Sequence, residues 1–138
     1  MQPPHARRII TYGHDKNDPD CRTPEVFREF IRNISTENQG RYRYTIGKDA
    51  DVIVLSLDGL AYGHFNIESK VEPTTDDRKA FPAVKHVYLV ESGMVYATPV
   101  RLSERGIEGI QFGKQLTEEQ FREIETAGGD SFLILSAR

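Results

Sequence analysis

The chain of 138 residues has no tryptophan and one cysteine. A lone Cys21 excludes an internal disulfide, so the fold has to rest on its core, and a reducing cytoplasm is the expected compartment. Without tryptophan, the interior must be filled by Phe, Tyr and aliphatic side chains. Long hydrophobic runs are also missing. Stretches such as Val52 to Leu55 fall far short of the roughly 20 residues that a membrane helix needs, and no membrane partner is expected. The opening MQPPHARRII has no apolar core behind its arginines, which predicts no secretory signal. Repeats, low-complexity tracts and a coiled-coil period are absent, and the length suits a single domain over residues 1–138.

A strong excess of positive charge is missing as well, since the net charge is −3. The distribution is uneven, however. Residues 1–48 carry nine Lys/Arg against six Asp/Glu, and residues 49–138 carry nine against fifteen. A local basic face can steer phosphate even on an acidic protein, and an ordinary solvated surface fits the same count.

What is present reads as alternating strand and helix signals. The run RRIITYG (Arg7 to Gly13) predicts a first strand, and HDKNDPDCR a loop. In TPEVFREFIRNI, Thr23 is placed to cap a helix, with Pro24 at its first position. Val26, Phe27, Phe30, Ile31 and Ile34 make one apolar stripe. A short strand is expected around Arg41 to Tyr44, where basic and aromatic residues alternate. A buried strand is expected over DVIVLSLDG, turning at Asp58-Gly59 into LAYGHFNIES. Gly63 within that strand implies a bulge or a close backbone approach. The segment KVEPTTDDRKAFPAV reads as a charged loop, and KHVYLVESGMVYATPV as a hairpin turning at Glu91-Ser92-Gly93. Ser103 can cap a short helical turn. TEEQFREIETAGG has Thr117 and Gln120 in capping-box spacing and stops at Gly128-Gly129, and Phe132 to Leu135 reads as a last strand. The order predicts an α+β domain on a curved, mixed but mostly antiparallel sheet or partly closed barrel with flanking helices.

Signals for chemistry are thin. His14, Asp15, Asp18, Asp20 and Cys21 crowd together, yet they lack both the paired spacing of a zinc site and the glycine and glutamate of a calcium loop. No metal or cofactor is expected. No serine sits in a nucleophile elbow and no glycine loop of a phosphate-binding type occurs, so no catalytic residue is assigned and a binding module is expected rather than an enzyme. The enzyme alternative is a metal-dependent nuclease using Asp58, Glu68 and Lys70, which mimic the acid, acid-x-lysine pattern that holds magnesium. A protein-interaction or small-ligand module remains a further alternative. Tyr12, Tyr42, Tyr44, Tyr62, Phe65, Tyr88, Tyr96 and Phe112 lie on strands or their ends. Most must fill the core, leaving two or three as stacking faces for bases.

The stretch HVYLVESGMVYATPVRLSERG with LTEEQFREI resembles the C-terminal half of EVE domains in the PUA-like superfamily. The matching positions are Pro99, Val100, Leu102, Thr117, Glu118, Glu119, Phe121 and Ile124. ADVIVLSLDGLAYGHFNIES is similar to the family's central strand pair through Asp51, Val52, Gly59 and Gly63, so the match spans about residues 50–128. The chain departs from the family in having no tryptophan and in carrying Ser56, Leu57 and Asp58 where polar-aromatic residues end the central strand. The resemblance implies a pseudo-barrel that binds DNA or RNA, with a nucleobase, including a modified one, taken into a pocket. Some members are fused to restriction nucleases or modifying enzymes. By position, the pocket would be lined by Tyr12, Gly13, His14, Ser56, Leu57, Asp58 and His64. Arg41 and Arg43, from their charge alone, are the candidates for phosphate contacts.

Overall fold

The computed structural model describes residues 7–14, 22–36, 39–44, 49–107 and 114–136. The elements are β1 (Ile9–His14), α1 (Pro24–Thr36), β2 (Arg41–Tyr44), β3 (Val52–Leu57), β4 (Leu60–Val71), α2 (Thr75–Ala80), β5 (His86–Arg101), a 3₁₀ turn (Leu102–Arg105), β6 (Gln115–Leu116), α3 (Glu118–Gly128) and β7 (Phe132–Leu135). The architecture is α+β. Seven strands form one mixed, mostly antiparallel sheet in the order β2-β5-β4-β3-β1-β6, with β7 also paired to β5. Among the described residues the sheet path runs from β2 to β6 without closing, so the sheet is the open one of the two expected forms and the pseudo-barrel that the resemblance implies is not closed.

Helices cover both faces, which explains why the sheet can stay open. On one face Phe27, Ile31 and Ile34 of α1 pack with Ile53, Leu55, Tyr42, Tyr62, Phe65 and Tyr88. On the other, Phe121 and Ile124 of α3 pack with Val52, Val54, Tyr96, Val100 and Leu102. Every residue of β3 is buried, as an apolar run clad on both sides requires. The α1 stripe is as read from the sequence except at Val26, which is 41% exposed. Thr23 Oγ1 accepts from the Val26 amide at 3.2 Å, and Thr117 and Gln120 form the expected capping box on α3.

Two local expectations are corrected. The charged loop contains α2, held by a capping box in which Thr74 and Asp77 satisfy each other's backbone amides. The hairpin at Glu91-Ser92-Gly93 does not turn, and β5 continues as one strand of 16 residues. Both its edges are occupied there, with Gly93 paired to Phe65 of β4 and to Ile134 of β7. Those ladders hold the backbone extended where its composition favours a turn.

At Asp58-Gly59 the turn does form, with φ of 53° and 77°. Two successive positive φ values are what a tight two-residue hairpin turn needs. Gly63 lies at a register shift between β4 and β5, and a Cβ there would overlap the Met94 carbonyl oxygen. That is the close backbone approach its position implied.

Candidate functional site

β1 and β3 pair in parallel, with Gly13 opposite Ser56 and His14 opposite Leu57. Their carboxyl ends therefore open at the same end of the sheet, next to the β3–β4 turn with exposed Asp58. This geometry brings together Tyr12, Gly13, His14, Ser56, Leu57 and Asp58. Their availability differs. Tyr12, Gly13 and His14 are half-buried, whereas Ser56 is fully buried and donates its hydroxyl to the Tyr12 carbonyl at 3.2 Å. Leu57 belongs to the α1-side core. Ser56 thus ties the two strands together, and Leu57 supports the mouth from below.

His14 sits in an aromatic setting. Its ring centroid lies 4.7 Å from Tyr12, 5.0 Å from Phe27 and 5.5 Å from Phe30. Its Nε2 is hydrogen-bonded to Tyr42 Oη at 2.9 Å. Beside it, the Arg28 guanidinium stacks over the Tyr62 ring at 5.6 Å. Burial raises the Tyr62 hydroxyl above its ordinary range, with Arg28 opposing the shift and Asp58 and Glu25 adding to it. The mouth thus combines half-exposed flat rings with charges of both signs. Phe30, Arg28 and Tyr62 are site neighbours that the sequence did not single out for this end of the sheet. The helical periodicity marks Phe30 as core, and Arg28 stands outside that apolar stripe.

His64 is not at this mouth, and its expected place there is corrected. It is 2% exposed, on the α3 side of the sheet, with Nδ1 and Tyr96 Oη 2.7 Å apart and the Phe121 ring at 4.9 Å. Strand alternation and the register shift at Ala61/Gly63 carry it to that face. Desolvation lowers its pKa to about 3, so it is a neutral core residue at ordinary pH.

Arg41 and Arg43 lie side by side on β2, both engaged by Asp77 of α2. Arg41 donates through Nε at 3.0 Å and through Nη2 at 2.6 Å, and Arg43 through Nε at 2.9 Å. The Asp77 side chain is 1% exposed and also accepts from the Thr74 amide and hydroxyl. These bonds, Arg41 first, hold its carboxyl well below the usual carboxylate range. The arginines accordingly have a structural partner that charge counting could not reveal.

The nuclease constellation is separated. Asp58 sits at one end of the β3–β4 hairpin, whereas Glu68 and Lys70 lie near the far end of β4, on the order of 25 Å along the strand. Lys70 instead pairs with Asp49 at 2.8 Å. Among the described residues, no group of three or more His, Cys, Asp or Glu could hold a metal ion. The cluster Asp15, Asp18, Asp20 and Cys21, together with Phe112, lies outside the described residues, as does the side chain of Tyr44.

Two open grooves lie elsewhere. One, of about 500 Å³, is lined by Arg7, Asp51, Val52, Asn66, Ile67, Glu91 and Ser92. The other, of about 390 Å³, runs along α3 past Arg105, Glu119 and Arg122. Among the described residues no helix is long and apolar enough to cross a membrane. No family model, curated protein or solved structure matches the chain.

Proposed function

We propose that this is a non-catalytic, PUA-like nucleic-acid-binding domain that takes a nucleobase at the mouth formed by Tyr12, Gly13, His14 and the Asp58-Gly59 turn. The observation that carries this reading is the parallel β1–β3 pair, whose carboxyl ends face the same opening. In open α/β sheets ligands bind outside the carboxyl ends of parallel strands, and the β1–β3 pair presents two such ends. Tyr12 and Phe30 offer stacking faces, and the exposed Asp58 carboxylate can accept from an exocyclic amine. Asp77 neutralises one of the two positive charges of Arg41 and Arg43, leaving a net positive charge for phosphate on β2, whose Tyr42 reaches His14 of the mouth.

Fluorescence titration with methylated and unmethylated single-stranded oligonucleotides, at roughly 50 and 200 mM salt, tests this reading. Salt-sensitive binding that Tyr12→Leu weakens about tenfold is expected, since stacking contributes about 1–3 kcal/mol per base. Absence of binding at low salt to every oligonucleotide would contradict it.

A further inference from the structure

Among the described residues five large hydrophobic side chains are exposed, and three belong to β7: Phe132 at 64%, Leu133 at 56% and Leu135 at 70%. This strand pairs with β5 on one side. Ser136 donates its amide to the Glu91 carbonyl, so alternation directs the peptide groups of Ile134 and Phe132 toward β5 and those of Leu133 and Leu135 away from it. An apolar strand with an outward row of donors and acceptors is a template for another strand.

We propose that β7 is a self-association edge, at which a second copy of this chain adds its own β7 antiparallel about a two-fold axis. The four residues of the strand carry no charge, which disfavours nucleic acid or a charged peptide and suits an identical edge. Outward pairing of odd-numbered residues allows Leu133 to face Leu135 of the partner subunit, with the axis at Ile134. That register sets all four leucines directly opposite one another, whereas a shift of the axis to Leu133 would leave Leu135 against serine. The leucines lie on the face that carries half-buried Met94, the ladder partner of Leu133, while Ile134 packs into the α1-side core. Antiparallel pairing also sends the exposed Asp130 of each copy to opposite ends of the joined edge, where a parallel arrangement would set the two carboxylates side by side. A contact limited to one short strand buries less than the roughly 1,200 Å² of a standard interface, so the dimer is a weak, concentration-dependent one.

Sedimentation velocity of the full chain from about 10 μM to about 1 mM tests this, since weak dimers dissociate in that range. The expected result is a monomer–dimer equilibrium. Leu133→Lys with Leu135→Lys places like charges opposite each other and should raise Kd about tenfold or more. Leu133→Lys with Leu135→Glu places opposite charges across the same pairs and should retain more of the association. Thermal melts of both variants check that these exposed substitutions leave the fold intact. A chain that stays monomeric throughout, a dimer indifferent to the double lysine, or equal weakening by both variants would each overturn the pairing.

Discussion

His64 shows how one buried side chain sets a pH response. Its imidazole is neutral in the fold because burial lowers its pKa from 6.5 to about 3. The unfolded chain therefore binds a proton that the folded chain does not. The associated stability is complete above pH 6.5 and is lost as the pH falls from there toward 3. Between pH 7 and pH 5 this amounts to about 2 kcal/mol. Urea unfolding at the two pH values should show that loss in the wild type and a smaller one in His64→Gln, whose amide does not titrate. Equal losses would place the acid sensitivity at another group. The resemblance implies a place for His64 at the mouth, but the fold puts it on the other face. Its face depends on a register shift between β4 and β5, and no single-strand alternation carries that information.

At the scale of elements, α2 was missed for a physical reason. A helix of six residues rich in charge has no apolar stripe to announce it, and its anchor is Asp77. That carboxylate links α2 to Arg41 and Arg43 on β2 and closes the capping box with Thr74. Asp77→Asn leaves two half-buried guanidiniums short of their counter-charge. It should destabilise the fold by about 2–3 kcal/mol at pH 7, measured by denaturant midpoint. Because the carboxyl is held below its usual 3.8, its contribution is present above that pH and fades as the pH drops further. The difference between variant and wild type should narrow in strong acid. By contrast α1, α3 and the β3–β4 hairpin were legible, because caps, apolar spacing and the Asp58-Gly59 turn all act within a few residues of themselves. Glu91-Ser92-Gly93 has the composition of a turn, and the ladders that keep β5 extended there come from β4 and β7, distant in sequence.

At the scale of the molecule, the class and the two-sided burial of β3 followed from the order of elements and one uninterrupted apolar strand. Closure of the sheet did not follow, since it depends on how far the end strands twist toward each other. The mouth was partly legible. Tyr12, Gly13, His14 and Asp58 are positions that the resemblance implies, and the parallel β1–β3 pairing sets them at one end of the sheet. Phe30 and Arg28 reach the same end through the packing of α1, a tertiary fact with no local mark in the chain.

The central claim, that a base seats at the carboxyl ends of β1 and β3, is tested most directly by amide chemical-shift mapping. A ¹⁵N-labelled chain would be titrated with the oligonucleotide that binds best. Saturable shifts concentrated at Tyr12, Gly13, His14, Asp58, Gly59 and Phe30 are predicted. Shifts confined to the groove of Asn66 and Ser92, or to the α3 surface around Arg122, would contradict the account.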